Sequence, residues 1–296
     1  MSSFFSYRPQ DLSRIPPRTQ DSNKGTYGRV LVVGGSVGMS GAAYFSAKAA
    51  YRMGAGLVQI LTHKENRIIL QTQLPEAVLS VYGDNVEQDK ESILNAVVRA
   101  DVIVVGVGLG QSKEAEKLLS MVLAHADVPL VIDADALNLL SQNEALWGLI
   151  SAPVIVTPHP LEMARLCHMD VSLIERDRLS AVENFAEKYA LVCVLKGHHT
   201  IVSDGTEARG FGDEHTVYLN HSGNSGMATG GSGDVLSGII ASLIAQKMLP
   251  FEAATLGVYI HGLAGDAAAE ALGEYSVMAS DIIDNISQII KDCYEE

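Results

Sequence analysis

Cysteine is scarce: Cys167, Cys193 and Cys293 are the only three in 296 residues, an odd number with no C-x-x-C spacing. That excludes a disulfide framework and a paired-cysteine zinc site, leaving buried or free thiols. Basic charge is also short. Against 35 acidic side chains stand 21 Lys and Arg, a formal net charge of −14, so nucleic acid, whose phosphates need Lys and Arg, is not an expected partner. No apolar run is long. The best, 235–245, is broken by Ser237, Gly238 and Ser242 and falls short of the roughly 20 residues that a membrane-spanning helix needs. No membrane partner is expected. Residues 1–24 are polar, contain Pro9, Pro16 and Pro17, and have no apolar signal core, which predicts a cytoplasmic protein with an N-terminal leader over 1–24. A Pro/Ser-rich linker, a charge block and a fixed-period repeat are absent too, so 25–296 is expected to form a single domain.

What is present is enough for a packed core: 47% hydrophobic and 19% charged residues, with a mean hydropathy of +0.16. Short apolar runs alternate with longer stretches of helical period. Strands are predicted at 29–33, 57–61, 78–81, 102–105, 130–132, 154–156 and 192–195, and helices at 40–53, 86–99, 114–124 and 173–189. Shorter strands at 199–203, 207–211 and 217–220, parted by Gly/Asp turns, suggest an antiparallel addition. Three helices, 233–246, 253–271 and 279–291, close the chain. Runs such as VIVVGVG, apolar on both faces, predict a mostly parallel α/β sheet with helices on both sides.

In such sheets ligands bind outside the carboxyl ends of the strands. The segments there are GGSVGMSG (34–41), GVGLG (106–110), DADALN (133–138), TPHPLE (157–162), KGHHT (196–200) and NHSGNSGMATGGSGD (220–234). The strongest is Gly230-Gly231-Ser232-Gly233-Asp234 ahead of an apolar helix. Glycines let a backbone approach its ligand, and free N–H groups at a helix start favour a phosphate, so Gly231, Ser232 and Gly233 read as an anion hole. Asp234 at its mouth would repel the anion. A proton-abstracting role explains it better than simple stabilisation of the first helical turn.

Lys196 after the 192–195 strand is either a phosphate-binding ammonium or a solvated turn lysine. His159, between Pro158 and Pro160, has a stiff backbone that sets its ring direction, or else it packs on a helix end. Asp133 and Asp135 are hard oxygen ligands suited to Mg²⁺. For Asp135 the favoured reading is instead the N-cap of a helix starting at Ala136.

Two other classes have support. GGSVGMSG lacks both the Lys-Ser/Thr end of a P-loop and G-x-G-x-x-G spacing. It contains Gly34-x-Ser36-x-Gly38, a G-x-S-x-G match on a strand–turn–helix background, so a serine hydrolase would use Ser36 with Asp133 and either His221 or His261. A non-catalytic nucleotide-binding sensor would need the phosphate cradle but not Asp234.

Taken in order and spacing, VLVVGGSVGMSGAA, GVGLG, VIDADALNLL, VTPHPLEMARL, VLKGHHT and NSGMATGGSGDVLSGIIASLIAQ resemble the ADP-dependent NAD(P)H-hydrate dehydratases of the ribokinase-like superfamily, over about 25–271. The resemblance implies nicotinamide-cofactor repair. The S-epimer of hydrated NADH or NADPH would be dehydrated at the expense of ADP, giving NAD(P)H, AMP and phosphate. By matching motif, Ala42, Gly108, His159 and Asp234 would contact the hydrate. Lys196, Gly197, His198, His199, Thr200 and Gly233 would hold the adenine nucleotide. His198 stands where small residues are common in the family, and Ser225 replaces a frequent proline. The family also implies Mg²⁺ bridging the nucleotide phosphates and a homo-oligomer of tetrameric size; many relatives carry a fused epimerase domain, and at 296 residues this chain is expected to leave that step to a separate protein.

Chemistry then gives the expected order of events. Hydroxide leaves poorly at neutral pH and phosphate leaves well, so the terminal phosphoryl of ADP would be transferred to the C6 hydroxyl. Asp234 would take the hydroxyl proton and the Gly231–Gly233 amides would hold the charge developing on the phosphoryl group. Elimination of phosphate follows.

Overall fold

The computed structural model describes residues 4–205 and 217–295. Its strands are β1 (Phe4–Phe5), β2 (Arg29–Val33), β3 (Leu57–His63), β4 (Val78–Tyr82), β5 (Val102–Val105), β6 (Leu130–Ile132), β7 (Val154–Val156), β8 (Val192–Leu195), β9 (Ile201–Ser203) and β10 (Val217–Leu219). The α-helices are α1 (Ser40–Arg52), α2 (Arg67–Gln73), α3 (Lys90–Val98), α4 (Lys113–His125), α5 (Asp135–Gln142), α6 (Pro160–Cys167), α7 (Val171–Arg176), α8 (Arg178–Tyr189), α9 (Ser232–Ala245), α10 (Pro250–Leu272) and α11 (Ala279–Glu295).

All ten strands form one sheet in the order β1-β10-β9-β8-β7-β6-β5-β2-β3-β4. From β8 to β4 every pairing is parallel; β9 runs antiparallel to both β8 and β10, as the short 217–220 strand signal suggested. Side chains alternate between two cores. Val30, Val32, Val102 and Val104 face the core that α1, α9, α10 and α11 cover, while Leu31, Val33, Ile103 and Val105 face the core under α3, α4, α5, α6 and α8. This two-sided burial is why the strands are continuous runs of Val, Ile and Leu.

Small residues make the first layer tight. Ala43, Ser46, Ala47, Ala49 and Ala50 are the buried positions of α1, and a side chain at Gly238 of α9 would strike the main chain of Ser46. From β2 the chain steps outward through β3 to β4, whereas β5 lies on the other side of β2 and leads on to β6, β7 and β8. The reversal point is therefore between β2 and β5, where a crevice for ligand is expected. There the two loops are joined: Gly35 N donates to Val107 O at 3.0 Å and Ser36 N to Gly108 O at 2.6 Å.

Several expectations change. The 173–189 helix is two helices, broken at Asp177, whose Oδ1 accepts from Ser180 N and starts α8. The 86–99 helix begins as a 3-10 turn, Val86–Asp89, because the Asn85 side chain caps it first. β9 starts at Ile201 rather than 199, since His199 adopts a left-handed φ of +56° that no strand accommodates. The expected strand at 207–211 lies outside the described residues. Residues 4–15, expected as leader, are woven into the fold. Phe4–Phe5 pairs with β10, Tyr7 donates to or accepts from Thr255 Oγ1 at 3.0 Å, and Leu12 and Ile15 are buried in the core beside α11. Among the described residues, no helix is long and apolar enough to cross a membrane.

Candidate active site

The carboxyl ends of β2, β5, β6, β7 and β8 and the first turn of α9 supply the site. Gly108 has φ +58°, and a Cβ there would fall 2.9 Å from Ala42 Cβ, so the GVGLG loop and the start of α1 touch at these two residues. Gly231 has φ +93° as the residue before α9. A side chain there would meet the Phe45 ring at 2.6 Å, so the turn needs glycine for its conformation and for its space. Ser232 N, the first amide of α9 and one of the three expected in the anion hole, already donates to Thr229 O at 3.3 Å, which leaves Gly233 and Asp234 as the donors of the turn.

Behind that turn lies a charged cluster. Asp133, at the end of β6 and 1% exposed, takes three donors. Lys196 Nζ reaches Oδ1 at 2.8 Å, Ala134 N reaches the same oxygen at 2.8 Å, and Ser237 Oγ of α9 reaches Oδ2 at 2.6 Å. Asp133 thus serves first as the anchor of Lys196 rather than as an open metal ligand. The neighbouring Ala134 has φ +50° and ψ −118°, a sparsely populated conformation for alanine that marks the turn as strained.

Lys196 also stands 4.0 Å from Glu162 Oε2. A Cβ on Gly233 would lie 3.1 Å from its ammonium, which puts Lys196 directly beneath the proposed anion hole. Burial disfavours the charge on Lys196, but Asp133 and Glu162 outweigh burial and hold its pKa above the ordinary value. The solvated-turn reading of Lys196 does not hold.

One ammonium cannot satisfy every carboxyl near it. Asp234 is pushed up to about 7, mainly by burial and then by the Asp133 charge, with Lys196 opposing. Glu162 is likewise raised to about 7, chiefly by burial. A carboxyl poised there at neutral pH can accept a proton and release it again.

His159 takes up the helix-end role. Its Nδ1 accepts from Leu161 N at 3.2 Å and Glu162 N at 3.3 Å, while its Nε2 lies 3.3 Å from Glu162 Oε1. With Nδ1 accepting, the proton sits on Nε2, and burial together with the nearby Lys196 keeps the ring's pKa below the ordinary value. The ring remains half-exposed beside the cluster. Asp135 is not the N-cap. It is the first residue of α5, and its carboxylate instead accepts from Gly110 N at 2.8 Å and Gln111 Nε2 at 3.1 Å, fixing the end of the GVGLG loop.

The 196–200 loop closes the other end. Lys196 N donates to Pro158 O, Thr200 Oγ1 to Gly197 O, and His199 Nδ1 lies 3.2 Å from Asn220 O. The His198 and His199 rings are 3.9 Å apart, and His221 meets His199 edge-on at 5.0 Å.

The serine-hydrolase arrangement is not assembled. Asp133 is committed to Lys196 and Ser237, His221 packs on His199, and His261 Nε2 lies 3.3 Å from Ser232 Oγ rather than at Ser36. Burial drives the pKa of His261 down to about 4, so it supports the α9 turn as a neutral ring.

Sequence reasoning missed Glu162, Ser237 and Asp266. Glu162 carried a signal, since it stands three residues after His159 as in a capping box. Ser237 carried one as a polar residue in an apolar helix. Asp266 of α10 accepts from Gly223 N at 2.8 Å and Asn224 Nδ2 at 2.9 Å, tying down the lead-in to the anion hole, and nothing local announces it.

Comparison with known proteins gives one family. The family model described as NAD(P)H-hydrate dehydratase matches residues 30–288. A bifunctional NAD(P)H-hydrate repair enzyme of Coxiella burnetii is 41% identical over 279 residues, 93% of this chain and 53% of that protein. An ADP-dependent (S)-NAD(P)H-hydrate dehydratase of Neisseria meningitidis is 41% identical over 262 residues, 86% of this chain and 82% of that protein. The chain spans about half the length of the bifunctional relatives it matches. Among solved structures, a ribokinase-like superfamily protein of Enterococcus faecalis superposes with a TM-score of 0.82 at 34% identity, covering 97% of this chain and 95% of the other. The Bacillus subtilis ADP/ATP-dependent NAD(P)H-hydrate dehydratase, co-crystallised with ATP/Mg²⁺, gives 0.82 at 27% identity and 99% of both chains. The fold is ribokinase-like.

Proposed function

The chain belongs to the NAD(P)H-hydrate dehydratase family, and from that premise we propose that it dehydrates the S-epimer of NADH or NADPH hydrate, consuming ADP and releasing NAD(P)H, AMP and phosphate. The observation that carries this reading is Asp234: a carboxyl at about 7 in the first turn of α9, above the buried Lys196. A binding module needs the amides but has no use for a base among them.

In the proposed reaction Asp234 takes the proton of the C6 hydroxyl as its oxygen attacks the β-phosphorus of ADP. The bond from that phosphorus to the bridging oxygen breaks, and AMP leaves. The amides of the α9 turn and the Lys196 ammonium face the charge that spreads over the phosphoryl oxygens. The ring nitrogen's lone pair then expels phosphate, and loss of the C5 proton restores the dihydropyridine. Gly108 and the small Ala42 leave room for the hydrate to approach, and His159 borders it with an Nε2–H donor.

Mg²⁺ fits this site as a companion of the nucleotide. Asp133, Glu162 and Asp234 outnumber Lys196, leaving oxygen donors and negative charge for a hard cation. Glu162, and Asp133 through water, would be the residues to hold such an ion beside the nucleotide. When bound, it would offset charge on the phosphates. We place the activity in the cytoplasm, in a homo-oligomer, downstream of a hydrate epimerase.

The test is to incubate the protein with hydrated NADH and Mg²⁺, adding ADP, ATP or neither, and to follow dihydropyridine absorbance and AMP together. Recovery with ADP, in step with AMP, supports the reading. No recovery, or recovery independent of nucleotide, overturns it.

A further inference from the structure

A half-buried cation without an ion-pair partner among the described residues stands behind the 196–200 loop. Arg178, the first residue of α8, donates from Nη1 to His198 O at 2.6 Å and from Nη2 to Leu195 O at 3.1 Å, with Lys196 O at 3.4 Å. Its Nε is buried with no hydrogen-bond partner. Three carbonyls of one short loop are thus turned toward one guanidinium.

The planar trans peptide fixes what happens on the other side. A carbonyl of residue i and the N–H of residue i+1 point in opposite directions, and no cis peptide is present. Drawing the carbonyls of Lys196 and His198 toward Arg178 therefore sends the amides of Gly197 and His199 away from it. Neither amide has an acceptor among the described residues. The backbone adopts φ +145° at Gly197 and +56° at His199 to achieve this. A Cβ at Gly197 would also lie 3.1 Å from Arg178 Nη2, so the guanidinium would have to give way slightly.

We propose that Arg178 is a positioning residue for the nucleotide: by holding the carbonyls of Leu195, Lys196 and His198 it presents the Gly197 and His199 amides as donors to ADP. The proposal rests on the reading of 196–200 as the nucleotide segment. Arginine suits the task because its rigid planar fork reaches three acceptors at once, which the single point of a lysine ammonium does not. Among the described residues no carboxylate pairs with it directly, and Glu175 offsets it only from a distance, so the same charge favours an anionic ligand nearby.

The test is calorimetric binding of AMP and ADP to the wild type, Arg178→Lys and Arg178→Ala, with thermal melts and single-turnover rates alongside. The wild type should bind AMP. Both variants should lose at least about tenfold in nucleotide affinity, the loss expected when charge-assisted hydrogen bonds no longer hold the loop. KM for ADP should rise, while turnover at saturating ADP and affinity for the hydrate stay near wild type. Low-millimolar guanidinium, far below denaturing levels, should restore part of the affinity of Arg178→Ala. If Arg178→Ala does not fold, Arg178→Lys carries the comparison. Failure of the wild type to bind AMP overturns the nucleotide reading and this proposal with it. Wild-type binding with unchanged affinity in Arg178→Lys, or an equal loss of hydrate and nucleotide affinity, overturns this proposal alone.

Discussion

Lys196 and Asp133 form a buried ion pair, Nζ to Oδ1 2.8 Å, that joins the end of β8 to the end of β6. Lys196→Ala would leave Asp133 and Glu162 buried without their cation, and breaking such a pair costs about 3–5 kcal/mol. Urea denaturation should show that loss for the single variant. The double variant Lys196→Ala/Asp133→Asn should be more stable than Lys196→Ala, although equally inactive, because it no longer buries an unpaired charge. Additive losses would mean that the pair is not coupled.

Ser237 Oγ holds the other Asp133 oxygen from inside α9, 104 residues away in sequence. Ser237→Ala removes a hydrogen bond to a buried carboxylate, with an expected cost of about 1.5–3 kcal/mol. Turnover should fall along with stability, since Asp133 then holds Lys196 less firmly under the α9 turn. A variant with wild-type melting temperature and rate would leave the contact without consequence.

The raised carboxyl of Asp234 makes activity and stability depend on pH in opposite ways. As a base it must be ionised, so kcat/KM should rise with pH through an apparent value of about 7. Asp234 and Glu162 share the cluster, so that value belongs to the pair. Glu162→Gln removes a neighbouring negative charge and should move the limb to lower pH. Stability runs the other way. The folded protein binds this proton more tightly than the unfolded chain, so the strain is absent below the ordinary carboxyl value of 3.8 and fully present above about 7. The melting-temperature advantage of Asp234→Asn over wild type should therefore grow from acid to mildly alkaline buffer. An advantage that shrinks with pH would contradict the assignment.

Tyr7 tests the N-terminal segment. Tyr7→Phe removes the buried bond to Thr255 while that hydroxyl keeps its own carbonyl partners, Phe251 and Glu252, so the loss should be about 1 kcal/mol. Removing residues 1–15 strips Tyr7, Leu12 and Ile15 from the core, and each such burial is worth roughly 1.5–3 kcal/mol. The truncated protein should melt far lower or fail to fold. A truncated protein of unchanged melting temperature would show that the segment adds nothing.

The parallel strands were legible because two-sided burial demands apolar runs: β2, β5, β6, β7 and β8 begin and end where periodicity puts them. The segments at their carboxyl ends were legible as Gly-rich and polar punctuation. Long-range contacts were not. Nothing within the sequence around Phe5 or Tyr7 signals that β10, more than 200 residues later, will receive them. Asp135 looked like a cap because Asp before a helix usually is one, and the Gly110 amide competed for its carboxylate. The break at Asp177 was hidden because the helical pattern runs on through it, and what marks it is the Asp177 side chain capping the start of α8. Asp234 stood out in the sequence as a charge where an anion should sit, but Lys196 and Asp133, whose charges act on it, follow strands far away in the chain.

The measurement that tests the central claim most directly is single-turnover dehydration by Asp234→Asn at saturating ADP and hydrate. Asn keeps the size and the helix-start chemistry of Asp but cannot accept the hydroxyl proton. The rate should fall by roughly two to four decades, with the fold intact by thermal melt and nucleotide affinity held or increased as a negative charge leaves the phosphates' side. A folded variant that retains more than about a tenth of the wild-type rate would contradict the role of Asp234 as the base.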